Sequence, residues 1–370
     1  MRLPPGIAAR RVPGVNGLDM HVLEAGEAGR PALLLLHGFP ELAYSWRKIM
    51  LPLAAAGYHV IAPDQRGYGR TTGWDAAYDA DLRPFRLLNL ARDALALASA
   101  LGHRSLAGVV GHDFGASVAA VCALARPDVF RSVALMSAPF TGPPALPFGE
   151  GARPAAPDPI HAALARLDPP RKHYQRYYST RAANEDMWRA PQGIHAFLRA
   201  YYHHKSADWP GNVPAPLAAW TAEELARMPT YYVMPLADGM AAAVAPHMPS
   251  PAAIARCAWL PDDELATYAA EFGRTGFGGG LHWYRCRTEG VNADLDLFSG
   301  RTIDVPSVFI AGASDWGIHQ VPGALARMQS HACARMAGCH LVPGAGHWVQ
   351  QERPEQVAAL LLAFLAETAG

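Results

Sequence analysis

The chain has 370 residues, of which 51% are hydrophobic and 17% charged, so it can bury the core of one large domain with an insertion or of two domains. Its 32 Lys and Arg residues balance 32 Asp and Glu residues, and no basic stripe or recognition motif is present, which argues against nucleic-acid binding. Five cysteines without C-x-x-C spacing argue against a disulfide framework and a zinc site, and no apolar stretch reaches the roughly 20 residues of a membrane span, so we expect a cytoplasmic protein without a metal.

The first third of the chain alternates strand-like apolar segments with helical ones. The segment 32–36 is wholly apolar, which is typical of a strand buried on both faces of a parallel sheet. The predicted strands are 18–24, 32–36, 58–62, 106–110 and 131–136, and the predicted helices between them are 46–56, 87–101 and 116–125. This alternation predicts an α/β fold with a doubly wound, mostly parallel sheet.

The composition changes after residue 140. Pro, Ala and Gly dominate 141–170 and 210–251, and no strand pattern resumes until residue 302. The remaining predicted elements are helices over 171–202, 262–272, 324–328 and 354–367 and strands over 305–311 and 339–342. We therefore predict a core formed by residues 1–140 and 302–370, interrupted by a mainly helical cap of residues 141–301.

One short stretch, Gly111-His112-Asp113-Phe114-Gly115, lies between a predicted strand and a predicted helix. A strand, a tight turn between glycines and a helix form the context of a nucleophile elbow, in which the central side chain stands exposed above the sheet. That side chain is here a carboxylate, which can displace a leaving group at saturated carbon and leave an alkyl ester that water reopens. Asp113 alone would more often be an ordinary turn residue, but this context favours a nucleophile acting on an epoxide or a carbon–halogen bond.

Two further residues follow predicted strands at the same edge of the sheet. Asp315 comes after strand 305–311 and His347 after strand 339–342, so nucleophile, acid and histidine occur in the chain order of one class of hydrolase triad. Each would alone be read as a turn or surface residue, and their shared position favours catalysis. His347 would deprotonate the water that opens the ester, and Asp315 would hold the histidine tautomer.

The tetrahedral oxyanion of ester hydrolysis needs hydrogen-bond donors. The backbone N–H of Phe114, directly after the nucleophile, suits this role, as does that of Phe39 in the loop His37-Gly38-Phe39-Pro40. A plain turn between strand and helix is the alternative for this loop. Its place after strand 32–36, at the edge where open α/β sheets bind ligands, favours the oxyanion role.

Together these residues resemble the epoxide hydrolases of the α/β-hydrolase superfamily, the Asp-nucleophile branch related to haloalkane dehalogenases. The resemblance rests on the 37–40 loop, Asp113, the 312–315 loop and His347, and it covers nearly the whole core. It implies an α/β-hydrolase core with a cap, no cofactor, and the conversion of a small-molecule epoxide and water to a vicinal diol through an aspartyl ester. The substrate pocket that it implies contains Phe39, Phe114, His37 and Trp283.

The cap carries two stretches that resemble the tyrosine motifs of this family. His173-Tyr174-Gln175 resembles the first, and Leu281-His282-Trp283-Tyr284-Arg285 resembles the second. The resemblance implies that Tyr174 and Tyr284 donate hydrogen bonds to the epoxide oxygen and protonate the alkoxide. Tyr178 is an alternative to Tyr174, and a packing role is the ordinary alternative for any cap tyrosine.

Two other functions use the same framework. A haloalkane or haloacid dehalogenase employs the same Asp nucleophile, but resemblance to those enzymes requires polar side chains at positions where this sequence has Phe39 and Phe114. A non-catalytic ligand-binding protein would need only the pocket, without the nucleophile, the acid, the base and both tyrosines.

The pair His203-His204 lacks a third ligand at suitable spacing, so we predict that it lies on a helix surface and binds no metal. A homodimer is compatible with the sequence.

Overall fold

The computed structural model describes residues 1–144 and 158–368, and it begins with alternating strands and helices. These elements are β1 (Ile7–Val15), β2 (Leu18–Ala25), β3 (Ala32–Leu36), α1 (Arg47–Ala55), β4 (His59–Pro63), α2 (Leu87–Ala100), β5 (Gly108–His112), α3 (Phe114–Ala125) and β6 (Val133–Met136). The sequence did not predict β1, because most of its side chains are exposed and its apolar residues show no strand period.

A mainly helical region follows. Its elements are α4 (Ile160–Ala165), β7 (Arg171–His173), α5 (Tyr174–Tyr178), α6 (Ala182–Trp188), α7 (Ile194–Lys205), α8 (Ala222–Leu225), β8 (Val233–Pro235), α9 (Met240–Val244), α10 (Pro251–Arg256), α11 (Asp262–Thr275) and α12 (Gly278–Thr288). The helix predicted over 171–202 is wrong at its start, since β7 pairs antiparallel with β8 there. The irregular segment predicted over 141–170 falls partly on residues 145–157, which lie outside the described residues.

The last part of the chain returns to alternating elements. These are β9 (Ser307–Gly312), α13 (Ala324–Arg327), β10 (Met336–Val342), α14 (Val349–Glu352) and α15 (Pro354–Thr368). Short 3-10 helices span Ala43–Trp46, Arg83–Phe85, Ala245–His247, Ala293–Phe298 and Trp316–His319, and a π-helical turn spans Met328–Ala332.

Within the described residues, eight strands form one sheet in the order β1-β2-β4-β3-β5-β6-β9-β10. The strand β2 runs antiparallel to both of its neighbours. The other six strands, β4, β3, β5, β6, β9 and β10 in sheet order, run parallel to one another. The carboxyl ends of neighbouring strands lie side by side, since Leu36 pairs with Gly111, one residue before the end of β5, and Val342 pairs with Gly312. The loops after β3, β5, β9 and β10 therefore open at one edge, and the predicted α/β class is confirmed.

Helices cover both faces of the sheet. The helices α1 and α15 pack on one face, and α2 and α3 on the other. The helix α3 is buried along nearly its whole length, which its small apolar side chains permit. The apolar cluster on the α3 face continues into the helical region, so core and helical region share one hydrophobic interior.

The prediction for His203-His204 is wrong in part. His204 is buried and stacks on His247 with ring centroids 3.6 Å apart, because several residues of the last two turns of α7 face inward. Within residues 1–144 and 158–368, no group of three or more His, Cys, Asp or Glu side chains is arranged to hold a metal ion. None of the helices in that part of the chain has the length and apolarity needed to cross a membrane.

Candidate active site

Asp113 is the single residue between the end of β5 and the start of α3. Its backbone has φ of 51° and ψ of −122°, a region that residues other than glycine rarely adopt and that costs on the order of 1–3 kcal/mol. The flanking glycines make this turn possible. A Cβ on Gly111 would lie 2.1 Å from the carbonyl oxygen of Gly115, and one on Gly115 would lie 2.2 Å from that of Leu36. The turn therefore presents the Asp113 side chain at the edge of the sheet.

The two carboxylate oxygens of Asp113 face different partners. The backbone N–H of Phe39 donates to Oδ1 at 3.0 Å, and Nε2 of His347 lies 3.4 Å from Oδ2. Burial acts to raise the pKa of Asp113, but the neighbouring His347, Lys205 and His112 outweigh it and hold the pKa far below the usual range. Asp113 is therefore a carboxylate at neutral pH.

Asp315 and His347 meet behind this carboxylate. Nδ1 of His347 lies 3.2 Å from each carboxylate oxygen of Asp315, and the N–H of Gly317 donates to Asp315 at 2.7 Å. Burial acts to raise the pKa of Asp315, and the charge and hydrogen bond of His347 outweigh it and lower the pKa. Nδ1 of His347 thus faces the Asp315 carboxylate and Nε2 faces Asp113, so the ring lies between the two carboxylates.

A second buried pair supports the same loops, and the sequence reasoning missed it. Nδ1 of His112 lies 2.5 Å from Glu41, while Nε2 of His112 donates to the carbonyl oxygen of His347 at 2.7 Å. Glu41 also accepts from the N–H of Gly38 at 3.1 Å. Despite burial, the charge of Glu41 raises the pKa of His112, and the charge of His112 lowers that of Glu41. This ion pair thus links the Phe39 loop to the histidine loop.

Two predicted tyrosines line a cavity of about 200 Å³ together with Asp113. The hydroxyl of Tyr174 donates to Gln320 at 3.0 Å and accepts from Gln175 at 3.1 Å. Among the described residues, the hydroxyl of Tyr284 has no hydrogen-bond partner. Burial, and secondly the charge of Asp113, raises the pKa of both phenols, so both stay protonated and able to donate.

Tyr178, the alternative to Tyr174, points elsewhere. Its hydroxyl donates to that of Tyr201 at 3.2 Å, and the residue is fully buried. It does not line the cavity that contains Asp113. Its ring packs edge-on against that of Tyr284, with centroids 5.0 Å apart. The structure therefore brings Tyr174, and not Tyr178, together with Asp113.

Of the four residues predicted to form the pocket, Phe39 and Phe114 contact Asp113 or line the cavity, whereas His37 and Trp283 do neither. Phe39 binds Asp113 through its backbone, and Phe114 lines the cavity and begins α3, where its N–H has no intrahelical acceptor.

His37 and Trp283, expected in the pocket, lie behind it instead. Nδ1 of His37 bonds to the carbonyl of Gly38 at 2.9 Å, and its Nε2 accepts from Gln65 at 3.2 Å, so the ring is held inside the loop. The indole N–H of Trp283 donates to the carbonyl of Arg66 at 3.0 Å, and the ring lies behind Phe114. The backbone occupies their polar atoms, so neither side chain has a free hydrogen-bonding atom for a ligand.

Lys205, at the end of α7, is a further charged group that no sequence motif indicated. Its ammonium is buried 4.9 to 5.7 Å from the centroids of four rings, those of Tyr201, Tyr231, Tyr232 and Trp348. Burial lowers the pKa of Lys205, and the charges of Asp113, Asp315 and Glu41 oppose this. The Lys205 side chain therefore lies close enough to the carboxylates of the site to lower the pKa of Asp113.

The comparisons with known proteins agree with one another. A family model described as the alpha/beta hydrolase fold matches residues 31–354. Epoxide hydrolase A of Mycobacterium tuberculosis is 36% identical to this chain over 97% of this chain and 98% of its own length. An epoxide hydrolase of Caballeronia sordidicola is 33% identical over 95% of this chain and 91% of its own.

Solved structures give the same result. An epoxide hydrolase from an endophytic Streptomyces has a TM-score of 0.77 at 31% identity, covering 98% of this chain and 96% of its own. Potato (Solanum tuberosum) epoxide hydrolase I has a TM-score of 0.73 at 30% identity, covering 98% and 99%.

The contact between the Phe39 loop and Asp113 can be tested by substitution. Gly38→Ala should lower the free energy of unfolding by about 1–3 kcal/mol, because the added Cβ would meet the Cβ of Asp113 at 2.4 Å. Gly273→Ala is the matched control. It lies exposed in α11 with nothing within 4 Å of an added Cβ, and the substitution should raise stability by up to about 1 kcal/mol. Urea unfolding followed by circular dichroism measures both, and undiminished stability of Gly38→Ala would contradict this contact.

Proposed function

We propose that this chain, which belongs to the α/β-hydrolase fold family and is an epoxide hydrolase, opens the oxirane ring through an ester formed on Asp113. The observation that carries the proposal is one cavity lined by a carboxylate and two phenols, those of Asp113, Tyr174 and Tyr284. An epoxide oxygen bound between the phenols would present a ring carbon to the carboxylate, which is the orientation that substitution requires.

In the first half-reaction, a carboxylate oxygen of Asp113 attacks a ring carbon. A carbon–oxygen bond to the aspartate forms, and the ring carbon–oxygen bond breaks. The oxygen that leaves carries negative charge and takes a proton from Tyr174 or Tyr284. The low pKa of Asp113 supports its role as nucleophile, and each phenol keeps its proton at neutral pH, as a proton donor must.

In the second half-reaction, Nε2 of His347 takes a proton from water, and the resulting hydroxide attacks Cγ of Asp113. The N–H groups of Phe39 and Phe114 stabilise the oxyanion, and the hydrogen bond from Phe39 to Asp113 at 3.0 Å supports this role. The intermediate collapses with cleavage of the ester bond, and the departing diol oxygen takes the proton from the imidazolium of His347. The new carboxylic acid returns its proton to the tyrosinate, so that one epoxide and one water give one diol.

A groove of about 580 Å³ adjoins the cavity and shares Phe114, Ser117 and Thr141 with it. Its volume falls in the range of sites for drug-sized ligands, and its wall includes apolar side chains such as Leu124 and Leu295. We assign the larger substituent of the epoxide to this groove.

The division of the chain also belongs to the proposal. Residues 1–140 and 302–370 form the core that carries the triad Asp113, Asp315 and His347, and residues 141–301 form a cap that carries the two acids. A cytoplasmic location and a homodimer remain predictions of the sequence.

The dehalogenase alternative is not favoured by the comparisons. The site is consistent with this, since Phe114, which follows Asp113 and lines the cavity, offers a departing halide no side-chain donor.

Isotope labelling tests the ester. A single turnover in ¹⁸O-water with enzyme in excess should give unlabelled diol and a labelled peptide containing Asp113, because the water oxygen enters the aspartate and the original carboxylate oxygen leaves with the diol. Mass spectrometry of both products measures this. Asp113→Ala should form no diol and keep a native circular-dichroism spectrum. Label in the diol during the first turnover would contradict the ester.

The tyrosines can be tested separately from the base. Tyr174→Phe and Tyr284→Phe should each slow alkylation of the enzyme, by about 100-fold or more when combined, because the leaving oxygen loses its acid. Ester hydrolysis should change less. Tyr178→Phe is the matched control and should alkylate near the wild-type rate, since its hydroxyl bonds to Tyr201. Rapid-quench single turnovers measure both steps, and slower alkylation in Tyr178→Phe than in Tyr174→Phe would transfer the role to Tyr178.

A further inference from the structure

Glu352, the last residue of α14, has a buried carboxylate that accepts three backbone hydrogen bonds. Its Oε2 accepts from the N–H of Gly346 at 2.9 Å and from that of Ala207 at 2.8 Å. Its Oε1 accepts from the N–H of Trp348 at 3.0 Å. Within residues 1–144 and 158–368, no cation forms an ion pair with it. Three N–H groups thus converge on one buried charge.

These donors belong to two parts of the molecule. Gly346 and Trp348 flank His347, whereas Ala207 follows α7 in the helical region. The N–H of His347 itself donates to the carbonyl of Lys205 at 2.9 Å. A Cβ on Gly346 would lie 2.6 Å from the backbone nitrogen of Ala207, so the two segments touch backbone to backbone. Glu352 bonds to both.

The electrostatics of Glu352 argue against a purely stabilising role. Burial raises its pKa to about 7 although the three N–H groups act to lower it, and the nearby charge of Asp208 adds to the rise. Because the folded-state pKa lies above the ordinary value of 4.5, ionisation of Glu352 opposes folding as the pH rises from 4.5 through 7. At pH 8 the ionised carboxylate therefore costs stability relative to a neutral group, while its bonds still determine the position of the loop.

We propose that Glu352 is a positioning residue for the second half-reaction, holding His347 where Nε2 can deprotonate the water that attacks the ester. Because Ala207 shares the same carboxylate, the position of the base also depends on the docking of the helical region onto the core. The inference rests on the proposed ester at Asp113. Glu352 does not line the cavity, so the first half-reaction, which uses Asp113 and the tyrosines, should not require it.

The substitution Glu352→Gln separates these roles. An amide has one acceptor oxygen, and it can satisfy Gly346 and Ala207 only by turning its NH₂ group toward the N–H of Trp348. The amide NH₂ and the N–H of Trp348 then face each other as two hydrogen-bond donors, so the loop that carries His347 has to shift. A displacement of about 1 Å from the productive geometry can cost on the order of 100-fold in rate.

The experiment is a set of single turnovers with enzyme in excess at pH 8, using styrene oxide as the probe and intact-protein mass spectrometry to follow the ester. Glu352→Gln should form the ester within about twofold of the wild-type rate and hydrolyse it about 100-fold more slowly, so that the adduct on Asp113 accumulates. Its Tm at pH 8 should stay close to that of the wild type. Glu355→Gln, an exposed position on α15, is the matched loss of charge and should change neither step.

The other outcomes are equally informative. Wild-type ester hydrolysis in Glu352→Gln, or an equal loss in both steps together with a lower Tm, would overturn the positioning role. Absence of any ester in the wild type would instead overturn the proposed function. Glu352→Asp, which keeps the charge but withdraws it by one methylene, should show the same selective slowing of hydrolysis, and it decides the question if Glu352→Gln does not fold.

Discussion

Between β5 and α3 the chain turns within one residue, and Asp113 adopts the positive-φ backbone conformation that this turn requires. The turn depends on close backbone contact, since Gly111 and Gly115 leave no room for a Cβ and Gly38 approaches Asp113 as closely. Once the turn is formed, the direction of the carboxylate is set. The Phe39 loop, the histidine loop and the tyrosines of the helical region are all arranged around that direction.

Burial alone would give this site the wrong protonation state. It raises the pKa of carboxylates and of phenols alike, because both become charged when they lose a proton. The pKa of Asp113 is nevertheless low, because His347, Lys205 and His112 outweigh burial there. The pKa of Tyr284 stays high. One cavity therefore holds an ionised carboxylate beside a protonated phenol, as the proposed reaction requires.

The site is assembled from segments distant in the chain. The core supplies Asp113 and His347, and the helical region supplies Tyr174, Tyr284 and Lys205. A continuous apolar cluster joins the two parts, and backbone hydrogen bonds extend the contact to the histidine loop. Packing of the helical region on the core thus places two phenols at the cavity and the Lys205 side chain near its carboxylates.

The amino-acid sequence by itself determined the α/β class, the positions of most strands along the chain and the juxtaposition of Asp113, Asp315 and His347. These follow from local periodicity and chain order, because the carboxyl ends of parallel strands meet at one edge wherever each strand lies in the sheet. It could not separate Tyr174 from Tyr178, which lie one turn apart on α5 and differ only in what their hydroxyls meet across the fold. Nor did any pattern indicate which buried charges support the histidine loop. Only the tertiary structure decided these points, because the direction and pKa of a side chain depend on partners that are distant in the chain.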